Sequence, residues 1–131
     1  MAELDFALLA DFASVEGGKL TVVGGCYTHV WQNEPGPHAT FIAGRIRLSD
    51  ESEVLLGLSL TAPDSTYQIT SESPLPAPEG PTYDGQHKSL VFAAQMTIPL
   101  VAEGRYELAL SVDRQHARTL IFEAKTGLPV N

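Results

Sequence analysis

Residues 105–113 read RYELALSVD, and the alternation in this stretch decides the fold class. Tyr106, Leu108, Leu110 and Val112 fall on one side, and Arg105, Glu107, Ala109, Ser111 and Asp113 on the other, which is the period of two that a half-buried strand requires. After the polar stretch Asp113-Arg114-Gln115-His116, residues Thr119 to Lys125 repeat the period, with Leu120, Phe122 and Ala124 opposed to Thr119, Ile121 and Glu123. The two segments predict a hairpin.

The same pattern recurs toward the N-terminus. Ile42, Gly44, Ile46 and Leu48 share a face opposite Arg45 and Arg47; Val54, Leu56, Leu58 and Leu60 follow across the turn Asp50-Glu51-Ser52; Leu90, Phe92, Ala94, Met96 and Ile98 precede Pro99. Shorter alternations include Tyr67 with Ile69, and Leu20 with Val22 after the turn Glu16-Gly17-Gly18. The first segment, ELDFALLADFA, fits two periods: Phe6, Leu8, Ala10 and Phe12 alternate as in a strand, while Leu4, Leu8 and Phe12 align on a helix. A strand agrees better with the β-like partner across the Gly17-Gly18 turn. About eight short strands, punctuated by Gly, Pro and Asp, predict an all-β fold, a two-sheet antiparallel sandwich of immunoglobulin-like or jelly-roll-like kind. The longer connections are Gln32 to Ala39 and the proline-rich Ser73 to Gly85, with Pro74, Pro76, Pro78 and Pro81 favouring a rigid surface loop.

A chain of 131 residues suits one domain, 1–131, and buries roughly two thirds of its unfolded surface without metal or disulfide. Eight Lys and Arg against sixteen Asp and Glu give a net charge of −8, which disfavours nucleic acid and anionic membrane as partners. No run approaches the ~18 apolar residues of a membrane span, and the opening MAELDF carries acids where a secretory signal would carry bases, so the expected location is cytoplasmic. One Cys, Cys26, rules out an intramolecular disulfide. From Arg47 to Lys88 lie seven acids and no Lys or Arg, so the middle of the chain is its acidic part.

The stretch GGCYTHVW, residues 24–31, holds the only Cys and the only Trp around His29. A Cys nucleophile needs a base within hydrogen-bond reach. In a regular strand, Cys26 and His29 point to opposite faces, so they make no dyad, and Cys26 reads as a buried structural residue. Tyr27, His29 and Trp31 share a face and could form an aromatic platform for a ring-containing ligand. Other templates fail. EGGKLT has Ala13 and Leu20 where a phosphate loop needs Gly and Ser or Thr. His29, His38, His87 and His116 show no zinc spacing. Asp50, Glu51 and Glu53 lack the calcium-loop pattern, and there is no GxSxG. No catalytic residue, cofactor or metal is expected. Arg45 and Arg47, outward on one strand, could grip an anion, but two such bases near an acidic stretch more often serve as ion-pair partners.

The run Ala10-Asp11-Phe12-Ala13, with Gly18, Lys19, Leu20, Val22, Gly24 and Gly25, and the later Pro99, Gly104, Tyr106, Leu108, Val112, Asp113 and Phe122, resemble the two terminal hairpins of a family of small bacterial β proteins with no established biochemical role. The chain departs from that pattern in Arg114, where a turn glycine is typical, and in its proline-rich insert. The resemblance implies one β domain and no particular activity. The expectation is therefore a non-catalytic, cytoplasmic interaction or assembly module that contacts another protein, with homo-oligomerisation possible through an open sheet edge. The alternative is a small-molecule binding domain using Tyr27, His29 and Trp31.

Overall fold

The computed structural model describes residues 1–127. These form nine strands: β1 (Glu3–Glu16), β2 (Lys19–Gly25), β3 (His29–Gln32), β4 (Gly36–Leu48), β5 (Glu53–Thr61), β6 (Gln68–Pro76), β7 (Lys88–Leu100), β8 (Gly104–Val112) and β9 (Gln115–Thr126). A single 3₁₀ turn spans Pro63–Ser65. The strands make a four-stranded sheet in the order β2-β1-β4-β7 and a five-stranded sheet in the order β3-β9-β8-β5-β6. No helix among the described residues is long and apolar enough to cross a membrane.

The all-β, two-sheet expectation holds, with two differences. Nine strands form rather than about eight, and the pairing is not wholly antiparallel, because β3 runs parallel to β9 with His29 beside Glu123 and Trp31 beside Lys125. Parallel neighbours cannot be joined by a tight turn. Here the chain reaches β3 from β2, which belongs to the other sheet.

The predicted hairpin appears as β8 and β9, with Tyr106 opposite Phe122. Their rings stack with centroids 5.2 Å apart and planes 5° from parallel. Tyr106 is fully buried, and its hydroxyl donates to the Ala102 carbonyl at 2.9 Å, so its polar atom stays satisfied. The turn residues Asp113 and Arg114 both have positive φ (51° and 69°), the geometry that matches strand twist in a two-residue hairpin and usually selects glycine. The cost is offset by a backbone bond that holds the turn and by two side-chain bonds that glycine could not make. The Asp113 amide donates to the Leu55 carbonyl (2.9 Å), its Oδ1 accepts from the Leu55 amide (3.0 Å), and Arg114 Nε donates to Glu72 at 3.3 Å.

The core lies between the sheets and takes the predicted faces of β4, β5, β8 and β9: Ile42, Ile46 and Leu48, then Val54 and Leu60, then Leu108, Leu110 and Phe122 are all essentially without exposure. On β1 the outcome differs. The register to β4 shifts between Leu4 and Phe6. This bulge reverses the phase, so Leu4, Ala7 and Leu9 meet the core, while Phe6, Leu8 and Ala10 line up across the other face with Arg45, Ala43 and Phe41. At the bulge the backbones nearly touch: a Cβ on Gly44 would stand 2.2 Å from the Phe6 carbonyl oxygen and 3.0 Å from Ala7 Cα. The four-stranded sheet is also strongly curled, since β2 comes within 8 Å of β7 although the two end its strand order.

Two expected loops are partly strand. β4 begins at Gly36, and β6 runs through Pro74 to Pro76. Pro74 and Pro76 face Leu55 and Glu53, and Leu55 directs both peptide groups to Asp113 on the β8 side. The missing proline N–H groups therefore fall on the outer side of an edge strand, where the ladder does not need them. Similarly, β7 continues through Pro99 to Leu100.

Because the Gly44 contact is backbone against backbone, Gly44→Ala is expected to lower stability by ~2 kcal/mol or more, while Gly36→Ala, which has open space, stays within ~0.5 kcal/mol of the parent. Urea unfolding midpoints test this; similar midpoints for the two variants would contradict the close approach.

Candidate interaction surface

The residues of GGCYTHVW do not form one strand. β2 ends at Gly25, and Cys26, with φ of 62°, turns the chain out of the first sheet while its amide donates to the Leu9 carbonyl at 2.7 Å. Cys26 is exposed, not buried as expected, because it sits in the crossover between sheets rather than in a ladder. The parity argument against a dyad thus loses its premise, but the geometry gives its own answer. His29 turns Nδ1 to the Thr28 hydroxyl (2.9 Å) and Nε2 toward Glu123 (3.7 Å), so both ring nitrogens face groups other than Cys26.

The crossover also separates the expected aromatic platform. His29 and Trp31 remain together on β3, exposed and stacked with centroids 6.1 Å apart. Tyr27 turns the other way, into the mouth of the core, edge-on to His38 and Phe122. Its hydroxyl lies 2.5 Å from Thr40 Oγ1 and 3.0 Å from His38 Nε2, and Thr40 Oγ1 donates to the Ala10 carbonyl at 3.1 Å. Proton counting orders this chain. Thr40 spends its proton on Ala10 and so accepts from Tyr27, which leaves Tyr27 to accept from a protonated His38 Nε2. Burial raises the Tyr27 pKa, against the lowering effect of the Thr40 bond; burial lowers the His38 pKa, with the negative charge of Asp11 acting in the opposite direction. Sequence parity could not find His38 and Thr40 as partners of Tyr27, since they lie on another strand.

Arg45 and Arg47 are ion-paired. Arg45 donates to Asp5 through Nε (2.7 Å) and a terminal nitrogen, and its guanidinium sits 5.5 Å from the Tyr83 ring centroid. Arg47 pairs with Glu3 at 2.8 Å. Both arginines bind β4 to β1, which leaves little of their charge for an anion.

The feature not anticipated from sequence is the face of the four-stranded sheet turned away from the core. Its cross-strand rows read Phe6, Arg45 and Val91; Leu8, Ala43 and Ala93; Ala10, Phe41 and Gln95. Ala10 and Ala43 have no exposure yet lie outside the main core, so a second, small apolar cluster occupies this side. At its rim Phe12 meets Phe41 edge-to-face at 5.3 Å, and Phe6 (37 %), Phe12 (46 %) and Val23 (57 %) are open to solvent. The available signal was the sequence ALLADFA, residues 7–13, which is apolar on both strand faces where a half-solvated strand alternates. On the outer side of the other sheet lies a trough of about 550 Å³ whose walls include Ser59, Thr70, Glu72, Ser111, Arg114 and His116. Its hydroxyl-rich walls contrast with the apolar face. Among the described residues, no three of His, Cys, Asp and Glu converge as a metal set.

The lowered His38 pKa fixes a sign for pH dependence. The unfolded chain takes up a proton near the ordinary histidine pKa of ~6.5, and the folded one only at lower pH, so this group's contribution to stability falls as pH drops below that value. His38→Gln is expected to flatten the dependence of unfolding free energy on pH between about 7 and 5; an unchanged slope would exclude His38 as its source.

No curated protein matches this chain. A family model does, over residues 5–125, from the Asp5 that holds Arg45 to the Lys125 beside Trp31. With nearly all of both sheets inside that span, the chain belongs to the family of unknown function DUF6941.

Proposed function

We propose that this protein is a non-catalytic interaction module of the cytoplasm, a β-sandwich of immunoglobulin-like or jelly-roll-like type that works by docking an apolar protein surface. The observation that carries this reading is the set of outward side chains on the sheet face opposite the core, Phe12, Phe41 and Val23 together at one end of β1 and Phe6 at the other. Water-exposed aromatic and aliphatic groups gathered on one sheet face gain free energy when a partner covers them, and such clusters mark interaction sites. The net charge of −8 directs the choice of partner away from nucleic acid and anionic membrane.

Ring-ligand binding is the second reading, supported by the exposed, stacked His29 and Trp31, and it now excludes Tyr27 from the platform. Trp31 is the only indole, so its fluorescence reports on any such ligand.

Capture from the native cell tests the first reading. A partner retained in fixed stoichiometry by the parent chain should be recovered at least ~10-fold less by a Phe12→Ser, Val23→Ser double variant of unchanged fold. Equal recovery would remove this face from the interaction.

A further inference from the structure

We infer that the chain pairs with a second copy of itself along the free edge of β7, extending the four-stranded sheet across a two-fold axis. The inference rests on the interaction-module reading and names a partner and a contact for it.

The four sheet edges differ. β3 has only four residues. β2 has seven and ends in Gly24-Gly25, with Gly24 at φ of 63°. β6 carries Pro74 and Pro76. Shortness, irregular backbone and proline are the devices by which proteins blunt edges against pairing. β7 has thirteen residues, meets proline only at its penultimate position, and belongs to a stretch, residues 89–102, without a single charge.

The peptide groups that this edge offers follow from the ladder. The Leu9 carbonyl accepts from Cys26 and the Ala10 carbonyl from the Thr40 hydroxyl on β4, so in the part of β1 paired with β4 the odd-numbered Ala7 and Leu9 turn away from β4 and the even-numbered Phe6, Leu8 and Ala10 turn to it. Carried across the β1–β4 and β4–β7 registers, this assigns the even residues of β7 to β4, and turns Ser89, Val91, Ala93, Gln95 and Thr97 outward. Among the described residues no backbone or side-chain group bonds to the peptides of these five, and β2, although the curl of the sheet brings it within 8 Å of β7, forms no ladder with it. Pro99 occupies the next outward position, where its missing donor costs no bond to β4.

The edge is self-complementary. An antiparallel pair centred on Ala93 sets Ser89 against Thr97 and Val91 against Gln95 of the other copy, with two small methyl groups at the axis. No charges are opposed. Copies of a chain carrying −8 repel each other in general, and a long neutral edge is where that repulsion is weakest. The outward side chains Val91 and Ala93 continue the rows of Phe6 and Leu8, so pairing would also join the two apolar faces.

Light scattering and sedimentation on the purified full chain test this. The expected native mass at tens of micromolar is twice the 14.1 kDa of the chain. Ala93→Glu, which puts two carboxylates at the axis, should weaken dimerisation at least ~10-fold with an unchanged far-ultraviolet spectrum. Gln95→Pro, which removes an outward donor without taking a bond from β4, should do the same and stands in if the first variant misfolds. A native mass of 14.1 kDa throughout, or a dimer that persists in the folded variants, overturns the inference. Neither outcome touches capture through Phe12 and Val23, so failure here is separable from failure of the interaction reading.

Discussion

The structure turns on the backbone-to-backbone approach of β1 to β4 at Gly44. Only a residue without Cβ lets the Phe6 carbonyl and Ala7 Cα come so near, and the bulge at that point reverses the phase of β1. Below the bulge, Leu4 faces the other sheet; beyond it, Ala7 and Leu9 do. Phe6, Leu8 and Phe12 are thereby sent to the opposite side, and the surface on which the functional reading rests exists because of that reversal. One residue more or less at the bulge would bury the phenylalanines and expose Leu9.

A second consequence follows from where the chain changes sheets. Cys26 to Thr28 carry it from the end of one sheet to the edge of the other, and this short span assigns three neighbouring aromatic residues to different environments. Tyr27 enters the core mouth and completes a chain of donors from His38 to the Ala10 carbonyl, while His29 and Trp31 stack in solvent. The hydroxyl of Thr40, like that of Tyr106, is fully buried, and that chain satisfies it. The crossover is thus held at its centre by Tyr27.

The charges serve the frame more than a ligand. Arg45 and Arg47 hold β1 to β4 through Asp5 and Glu3, Glu51 meets the N-terminal amine at 3.3 Å, and Glu72 meets Arg114 at the β8–β9 turn. Asp84 caps its own loop, accepting from the Gln86 and His87 amides, and the His87 side chain leads the interactions that hold its carboxyl at a pKa of about 2. The acidic middle of the sequence is therefore spread over turns and edges, and exposed pairs of this kind contribute ~1 kcal/mol or less each. The neutral stretch from Ser89 to Ala102 stands apart from it.

Most strands were legible in the sequence. Alternation located β4, β5, β7, β8 and β9 and their core-facing residues, glycines marked the β1–β2 turn, and the polar stretch after Val112 marked the second hairpin. These features are local, since a period of two and a turn type are written in neighbouring residues. Long-range contacts decided the rest: which side of β1 met the core, that prolines would sit in β6, that β3 would run parallel to β9, and which acids the two arginines would hold. Alternation says which residues share a face, but only the contact with another sheet says which face is inside. On β1, apolar on both sides, that choice fell to the bulge beside Gly44.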